Sequence, residues 1–251
     1  MELHFLGSGS KGNALAVSCG RTRVHLDAGL PAETLLERLL SVGILPSSFD
    51  GIAVTHGHHD HVAAAPILSR DLGIVVHAAR TTFRDPGKRP VHFSILEPGR
   101  PFEIGDLRLR PFRIPHDAEP TVGYVVEGSD GTSLGYVTDC GHPRPDVIEA
   151  LQGVRALVLE FNHDAGMLRD GPYPRPLKDR IAGPSGHLSN DQAAEILERV
   201  AHGGLSRVFL AHLSETNNRP PLALAAARSA LERARLRSVA VEALAQATTL
   251  G

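Results

Sequence analysis

The chain has 251 residues, 42% hydrophobic and 22% charged, which is enough apolar material for a sizeable core and excludes a disordered chain. A formal charge of -2 excludes a global positive field that would draw in nucleic acid, and 2 cysteines exclude a disulfide scaffold or a cysteine-rich zinc fold. The unusual count is 14 histidines, and histidine is the commonest metal ligand.

In chain order, residues 3–6 and 14–18 are short apolar runs around a glycine-rich turn, and 24–26 form a third strand ending at Asp27-Ala28-Gly29. Pro31 opens helical periodicity over 33–40. Residues 51–55 read as a short buried strand, and 61–72 as a helix despite Pro66. The middle, 92–137, is strand-rich, with clear alternation over 107–113. Helices over 146–151, 189–200 and 222–235 then alternate with strands over 156–159 and 208–211. Strands inside and helices between them predict a layered α/β arrangement in one domain spanning 1–251. No apolar run approaches the roughly 18 residues of a membrane span, and the start lacks a signal-peptide pattern, so a cytoplasmic protein without membrane contact is expected.

Gly7-Ser8-Gly9-Ser10-Lys11-Gly12 fits the G-x-G-x-x-G dinucleotide pattern, and Asp27 follows where a ribose-binding acid would sit. That motif requires a helix next. The following run is short, β-like and closed by Gly20, so the glycines are expected to shape a hairpin turn. Ser8, Ser10 and Asn13 remain candidates for lining a site.

The strong signal is Thr55-His56-Gly57-His58-His59-Asp60-His61, between a buried strand and a helix. Four imidazoles and a carboxylate at one chain reversal cannot easily be core residues, and they are the donor set of a transition-metal site. Side-chain alternation at a strand end sends His56 and His58 to one side, while Asp60 and His61 can face a neighbouring position, which favours two metals over one.

His56-x-His58-x-Asp60-His61 resembles the H-x-H-x-D-H signature of the metallo-β-lactamase superfamily. The resemblance implies a four-layer αββα sandwich and extends over most of the chain. Asp27 matches the family's early aspartate that supports the metal loop. His116, Asp139 and His212, each behind a β-like run, match the later ligands. By that resemblance one divalent ion would take His56, His58 and His116, the other Asp60, His61 and His212, with Asp139 bridging. Cys140 is read as a small buried residue. The segment from Asp139 to His212 is too short for the large inserted domain of the β-CASP nucleases. Residues 6–13, 115–124, 160–164, 186–190 and 212–218 together resemble the YycJ (WalJ) group, whose members are similar to 5′→3′ DNA exonucleases.

This second resemblance implies a phosphodiesterase with two divalent ions, Zn2+ or Mn2+, acting on nucleic acid, DNA in the first place with RNA also open. A water shared by the ions would be the nucleophile, and His187, in a Gly-flanked turn, would protonate the leaving oxygen or hold a phosphate. Asp60 and Asp139 complete the catalytic set. Glu160, Asn162 and His163, with Asp27, would orient ligands, and Ser214 and Asn217 would bind phosphate or cap a helix. Arg169, Arg175, Lys178 and Arg180 around Tyr173 offer a local strip for a nucleic-acid backbone. The rivals are a small-molecule hydrolase, on a cyclic phosphodiester, lactone or thioester, and a non-catalytic metal-binding protein of the same fold.

Overall fold

The computed structural model describes residues 1–244. Strands β1 (Glu2–Gly7), β2 (Ala14–Cys19) and β3 (Thr22–Leu26) run as an antiparallel meander. Crossovers through α1 (Ala32–Ser41) to β4 (Gly51–Ala53), and through α2 (His59–Val62) and α3 (Ala65–Leu72) to β5 (Val76–Ala78), extend the sheet in parallel, and β6 (Phe93–Ile95) closes it. The second sheet begins antiparallel with β7 (Phe102–Ile104), β8 (Leu107–Ile114), β9 (Thr121–Gly128) and β10 (Ser133–Val137). It then turns parallel. The chain passes α4 (Pro145–Ala150) to β11 (Ala156–Glu160), then α5 (Ala165–Asp170), α6 (Arg175–Ile181) and α7 (Asn190–Val200) to β12 (Arg207–Ala211), and finally α8 (Pro220–Arg233) to β13 (Ala240–Ala243). Strand order is β1-β2-β3-β4-β5-β6 in one sheet and β13-β12-β11-β10-β9-β8-β7 in the other.

Period-two alternation makes the layers. In β2, Leu15, Val17 and Cys19 pack between the sheets, while Ala14 and Ala16 pack with Leu35 and Leu39 of α1. In β11 and β12, Val158 and Phe209 face the first sheet, while Leu157, Leu159, Val208 and Leu210 pack with Ile196 and Leu197 of α7 and Ala227 of α8. These strands are apolar on both faces, as a sheet covered on both sides requires. Three apolar layers thus separate four layers of structure, the αββα sandwich expected from the sequence.

One local expectation changes. The helix expected over 61–72 is two helices, because Pro66 lacks an amide hydrogen and its ring would clash with the preceding turn; it sits instead in the first turn of α3. The Pro-rich stretch 169–180 carries α5 and α6, the latter without a buried residue. The glycine-rich turn does join antiparallel strands, with Gly9 and Gly12 at φ of 135° and 146°, values that favour glycine. The segment between Asp139 and His212 is occupied by α4, β11, α5, α6, α7 and β12.

β3, β4, β10, β11 and β12 all deliver their C-terminal ends to one edge of the sandwich. Three of those ends bend sharply: Asp27, Asp139 and His212 have φ of 59°, 56° and 54°. Left-handed backbone is costly for residues with a Cβ and persists where surrounding contacts over-determine it, characteristically at functional sites.

His25, facing away from the site, is fully buried and stacked on Phe49 with ring centroids 3.7 Å apart, and neither ring nitrogen has a partner among the described residues. Burial, helped by Arg23, pushes its pKa down to about 3. Below pH 6.5 the unfolded chain takes up a proton that the folded chain refuses until about pH 3, so this residue's stabilising contribution is complete above 6.5 and is lost through that window. His25→Phe, which keeps the stacking and removes the titration, should flatten the fall in denaturation midpoint between pH 7 and pH 4; an unchanged slope would contradict this assignment.

Candidate metal centre

The H-x-H-x-D-H loop is seated by backbone contacts before any side chain acts. Asn13 N donates to Asp60 O (2.8 Å), Ala28 N to His61 O (2.9 Å) and Ala64 N to Ala28 O (2.8 Å). The approach is so close that a Cβ on Gly29 would stand 1.6 Å from Asp60 O. Here glycine serves as an absence of side chain rather than as a source of turn flexibility.

Four of the imidazoles, His56, His61, His116 and His212, are then fixed through one nitrogen, leaving the other directed into the centre. Asp27 accepts from Thr55 N (2.8 Å), from the Thr55 hydroxyl (3.0 Å) and from His61 Nδ1 (2.8 Å). Thr55 Oγ1 is 3.0 Å from His56 Nδ1 and accepts from it. His116 Nδ1 donates to Gly186 O (3.1 Å), and His212 Nδ1 to Glu160 Oε1 (3.0 Å). This is the arrangement that presets tautomer and ring orientation in metal-binding histidines. The free nitrogens converge. His56 Nε2 and His212 Nε2 are buried without any hydrogen-bond partner among the described residues, and His116 Nε2 lies only 3.3 Å from His58 Nδ1.

Four sets of potential ligand atoms, each within 4.8 Å of one another, result: His56, His58, His116; Asp60, His61, His212; His56, His61, Asp139; and Asp139, Glu160, His187, His212. Asp139 belongs to two of them and lies between the others. Its carboxylate is 3.0 Å from His61 Nε2 and 3.9 Å from His116 Nε2. Orphaned, inward-facing nitrogen atoms beside buried carboxylates are a poor fit to a dry apolar core and a good fit to divalent cations.

Charge follows the geometry. Burial alone would raise the Asp139 pKa, but His212 and His61 hold it well below the usual carboxylate range. Glu160 is likewise driven down to about 2, with burial outweighed by His187 and His212. Burial lowers His56 well below its ordinary value, with His61 adding to the effect. His187 goes the other way: burial is overcome by Glu160, 2.8 Å from its Nδ1, and its pKa is raised.

The remaining candidates have definite places. Ser8 Oγ accepts from His212 N (2.9 Å), and Asn13 Nδ2 is 3.0 Å from His61 Nε2, so both are buried inside the ligand shell. Ser10 is exposed at the loop tip. Asn162 Nδ2 donates to His212 O (3.0 Å), and the His163 carbonyl accepts from Asn190 N (2.8 Å). Ser214 Oγ accepts from Asn217 N (3.0 Å), while the buried Asn217 amide has no side-chain partner among the described residues. Cys140 is buried beneath the second sheet with its thiol donating to His142 O (3.3 Å); it joins none of the ligand sets, and burial pushes its pKa up.

Sequence reasoning does not single out Thr55, Tyr136, Asp117 as a contact of His58 and His116, or Arg180 as its partner. Tyr136 OH donates to Asp27 (3.3 Å) across the sandwich. Asp117 lies 3.3 Å from His116 Nε2 and 3.5 Å from His58 Nε2, and Arg180 grips it at 2.6 Å. The adjacency of Asp117 to His116 is visible in the sequence; the arrival of Arg180 from α6 is not.

An αββα sandwich with this loop at its strand ends defines a metal-dependent hydrolase of the metallo-β-lactamase fold. The family pattern for the β-lactamase superfamily domain matches residues 22–213. Exodeoxyribonuclease YycJ of Bacillus anthracis is 32% identical over 242 residues, covering 92% of this chain and 90% of its own. Exodeoxyribonuclease WalJ of Streptococcus pneumoniae serotype 2 is 30% identical over 229 residues, covering 87% and 83%. The solved structure of YhfI, a metallo-β-lactamase fold protein from Bacillus subtilis, superimposes with a TM-score of 0.75 at 15% identity over 100% of both chains. The chain belongs to the β-lactamase superfamily and, within it, to the group of YycJ and WalJ.

Asp27→Asn keeps size but presents an amide, not a carboxylate, to Thr55 and His61. It should weaken binding of divalent metal by about 10–100-fold in a chelator competition. Affinity equal to the wild type would show that Asp27 does not set the His61 ring.

Proposed function

We propose that the chain is a phosphodiesterase working with two divalent ions and that it removes nucleotides from DNA in the 5′→3′ direction, as one domain without an inserted cap. The observation that carries this reading is the pair of facing ligand sets joined by one buried carboxylate. His56, His58 and His116 would hold one ion, Asp60, His61 and His212 the other, and Asp139 would contact both. Bound there, divalent ions supply an activated water at neutral pH and positive charge for the attacking and leaving oxygens of a phosphodiester. The imidazoles suit Zn2+, and the carboxylates with phosphoryl chemistry suit Mn2+.

The chain's own residues supply orientation and proton transfer. His187 Nδ1 is held by Glu160, which leaves Nε2, without a hydrogen bond among the described residues, as the atom that donates a proton to the leaving oxygen or holds a phosphate oxygen. The Glu160 carboxylate beside it favours the protonated ring. Glu160 serves two rings at once, so His187 and His212 keep a fixed relation. Asp27, Asn162 and His163 hold the frame, with Ser8 and Asn13 inside it; Ser10 and Ser214 are open to a substrate strand, whereas Asn217 is buried and can act only from behind Ser214. DNA as substrate rests on the exodeoxyribonuclease names of relatives that match about nine-tenths of the chain.

Digestion of 5′-phosphorylated single-stranded DNA with Mn2+, beside Asp139→Ala and His187→Gln, tests the reading. Wild type should release nucleotides from the 5′ end, Asp139→Ala should be inactive, and His187→Gln should lose about 10²–10⁴-fold in kcat. Equal DNA loss in wild type and Asp139→Ala would overturn the nuclease assignment. Turnover of bis(p-nitrophenyl) phosphate without any of DNA would replace it by a small-phosphodiester hydrolase.

A further inference from the structure

The strip expected to track nucleic acid, 169–180, has its cations already engaged. Arg169 pairs with Asp170 (2.8 Å), Arg175 with Asp179 (2.8 Å) and Arg180 with Asp117 (2.6 Å), and Lys178 donates to the Arg169 carbonyl (2.8 Å). Releasing any of these to a phosphate would cost a contact already made. A second basic segment near the centre differs. The segment between β5 and β6 carries Arg80, Arg84, Lys88 and Arg89 against one carboxylate, Asp85, which accepts from Gly87 N. Arg84 and Lys88 are exposed, and neither makes an ion pair or side-chain hydrogen bond with a described residue.

Both residues line a cleft of about 580 Å³ that opens directly off the metal centre, since His58 and Asp117 also form its wall. Its floor is apolar, with Val62, Pro66 and Phe83. Free cations at the rim, an apolar floor, and continuity with the reacting centre are the three features a nucleotide needs: phosphate neutralisation, a surface for base and sugar, and a path to the scissile bond. The volume accommodates one or two nucleotides rather than a duplex. Glu119, exposed and without an ion-pair partner among the described residues, also lines the cleft.

We propose that this cleft is the subsite for the nucleotide adjoining the scissile phosphodiester of a single strand, with Arg84 and Lys88 as its phosphate contacts, and that 169–180 is not the backbone track. The inference rests on the nuclease reading and adds the path of the strand.

The test is anisotropy of a fluorescent, nuclease-resistant phosphorothioate single strand titrated with the Mn2+-loaded protein across a salt series, alongside digestion of the ordinary oligonucleotide with Mn2+. Arg84→Ala with Lys88→Ala should raise Kd about tenfold at low salt and reduce the slope of log Kd against log salt by about 1.4, the value for two lost phosphate contacts on a single strand. Metal content and Tm should match the wild type, which separates the effect from misfolding. Arg169→Ala with Arg175→Ala should change Kd less than about twofold, since those cations are already engaged. If the wild type digests DNA but the cleft variant keeps its Kd and salt slope, or the 169/175 variant is the weakened one, the proposal falls and the nuclease reading survives. If the wild type neither binds nor digests the oligonucleotide yet turns over bis(p-nitrophenyl) phosphate, the nuclease reading falls and takes this subsite with it.

Discussion

The Asp27 carboxylate is completely buried and accepts hydrogen bonds from three residues distant from it in sequence. Thr55 approaches from the end of β4, His61 from α2 and Tyr136 from β10 of the opposite sheet. A lone charge in that position would be strongly unfavourable, and its stability depends on every one of these donors being in place. The dependence runs outward: Thr55 sets His56, Asp27 sets His61, and the left-handed bend at Asp27 carries the chain to Gly29 beneath the Asp60 carbonyl. Remove the carboxylate and the ligand loop loses both its anchor and its tautomers.

A second buried carboxylate, Glu160, does for the second sheet what Asp27 does for the first. It binds the rings of His187 and His212 through one oxygen, and through the other accepts from Cys140 N and Leu188 N (2.8 and 3.1 Å). Each sheet therefore contributes an anionic strut behind the imidazoles, and Asp139 lies between the two groups. The clustered imidazoles and the intervening carboxylates are costly to bury as they stand; cations at their focus offset that cost, coupling the integrity of this edge to metal binding.

The contiguous motif is legible in the sequence because its chemistry is local: strand, four imidazoles and an aspartate need no long-range information. His116, Asp139 and His212 are legible only through their order along the chain, since each alone is an ordinary polar residue after a strand. The helix start near 189 is equally local, and the structure caps it with Ser189 in a complete reciprocal box with Gln192. Pairings set by topology cannot be read in this way. Tyr136 meets Asp27 across the sandwich, and Arg180 reaches Asp117 from α6. Which arginines are engaged and which are free is decided entirely by such pairings, so an arginine-rich composition points to 169–180, while the unpaired cations beside the centre lie near 84–88. Pro66 is visible, but whether it kinks or restarts a helix depends on the surrounding contacts, here the bond from Ala64 N to Ala28 O.

The central claim is that one buried carboxylate holds two metal positions in contact. Electron paramagnetic resonance of the Mn2+-reconstituted protein, with metal counted per chain, addresses it directly. Two ions per chain with an exchange-coupled spectrum from adjacent Mn(II) are the predicted result. One ion per chain, giving the hyperfine pattern of isolated Mn(II), would contradict it.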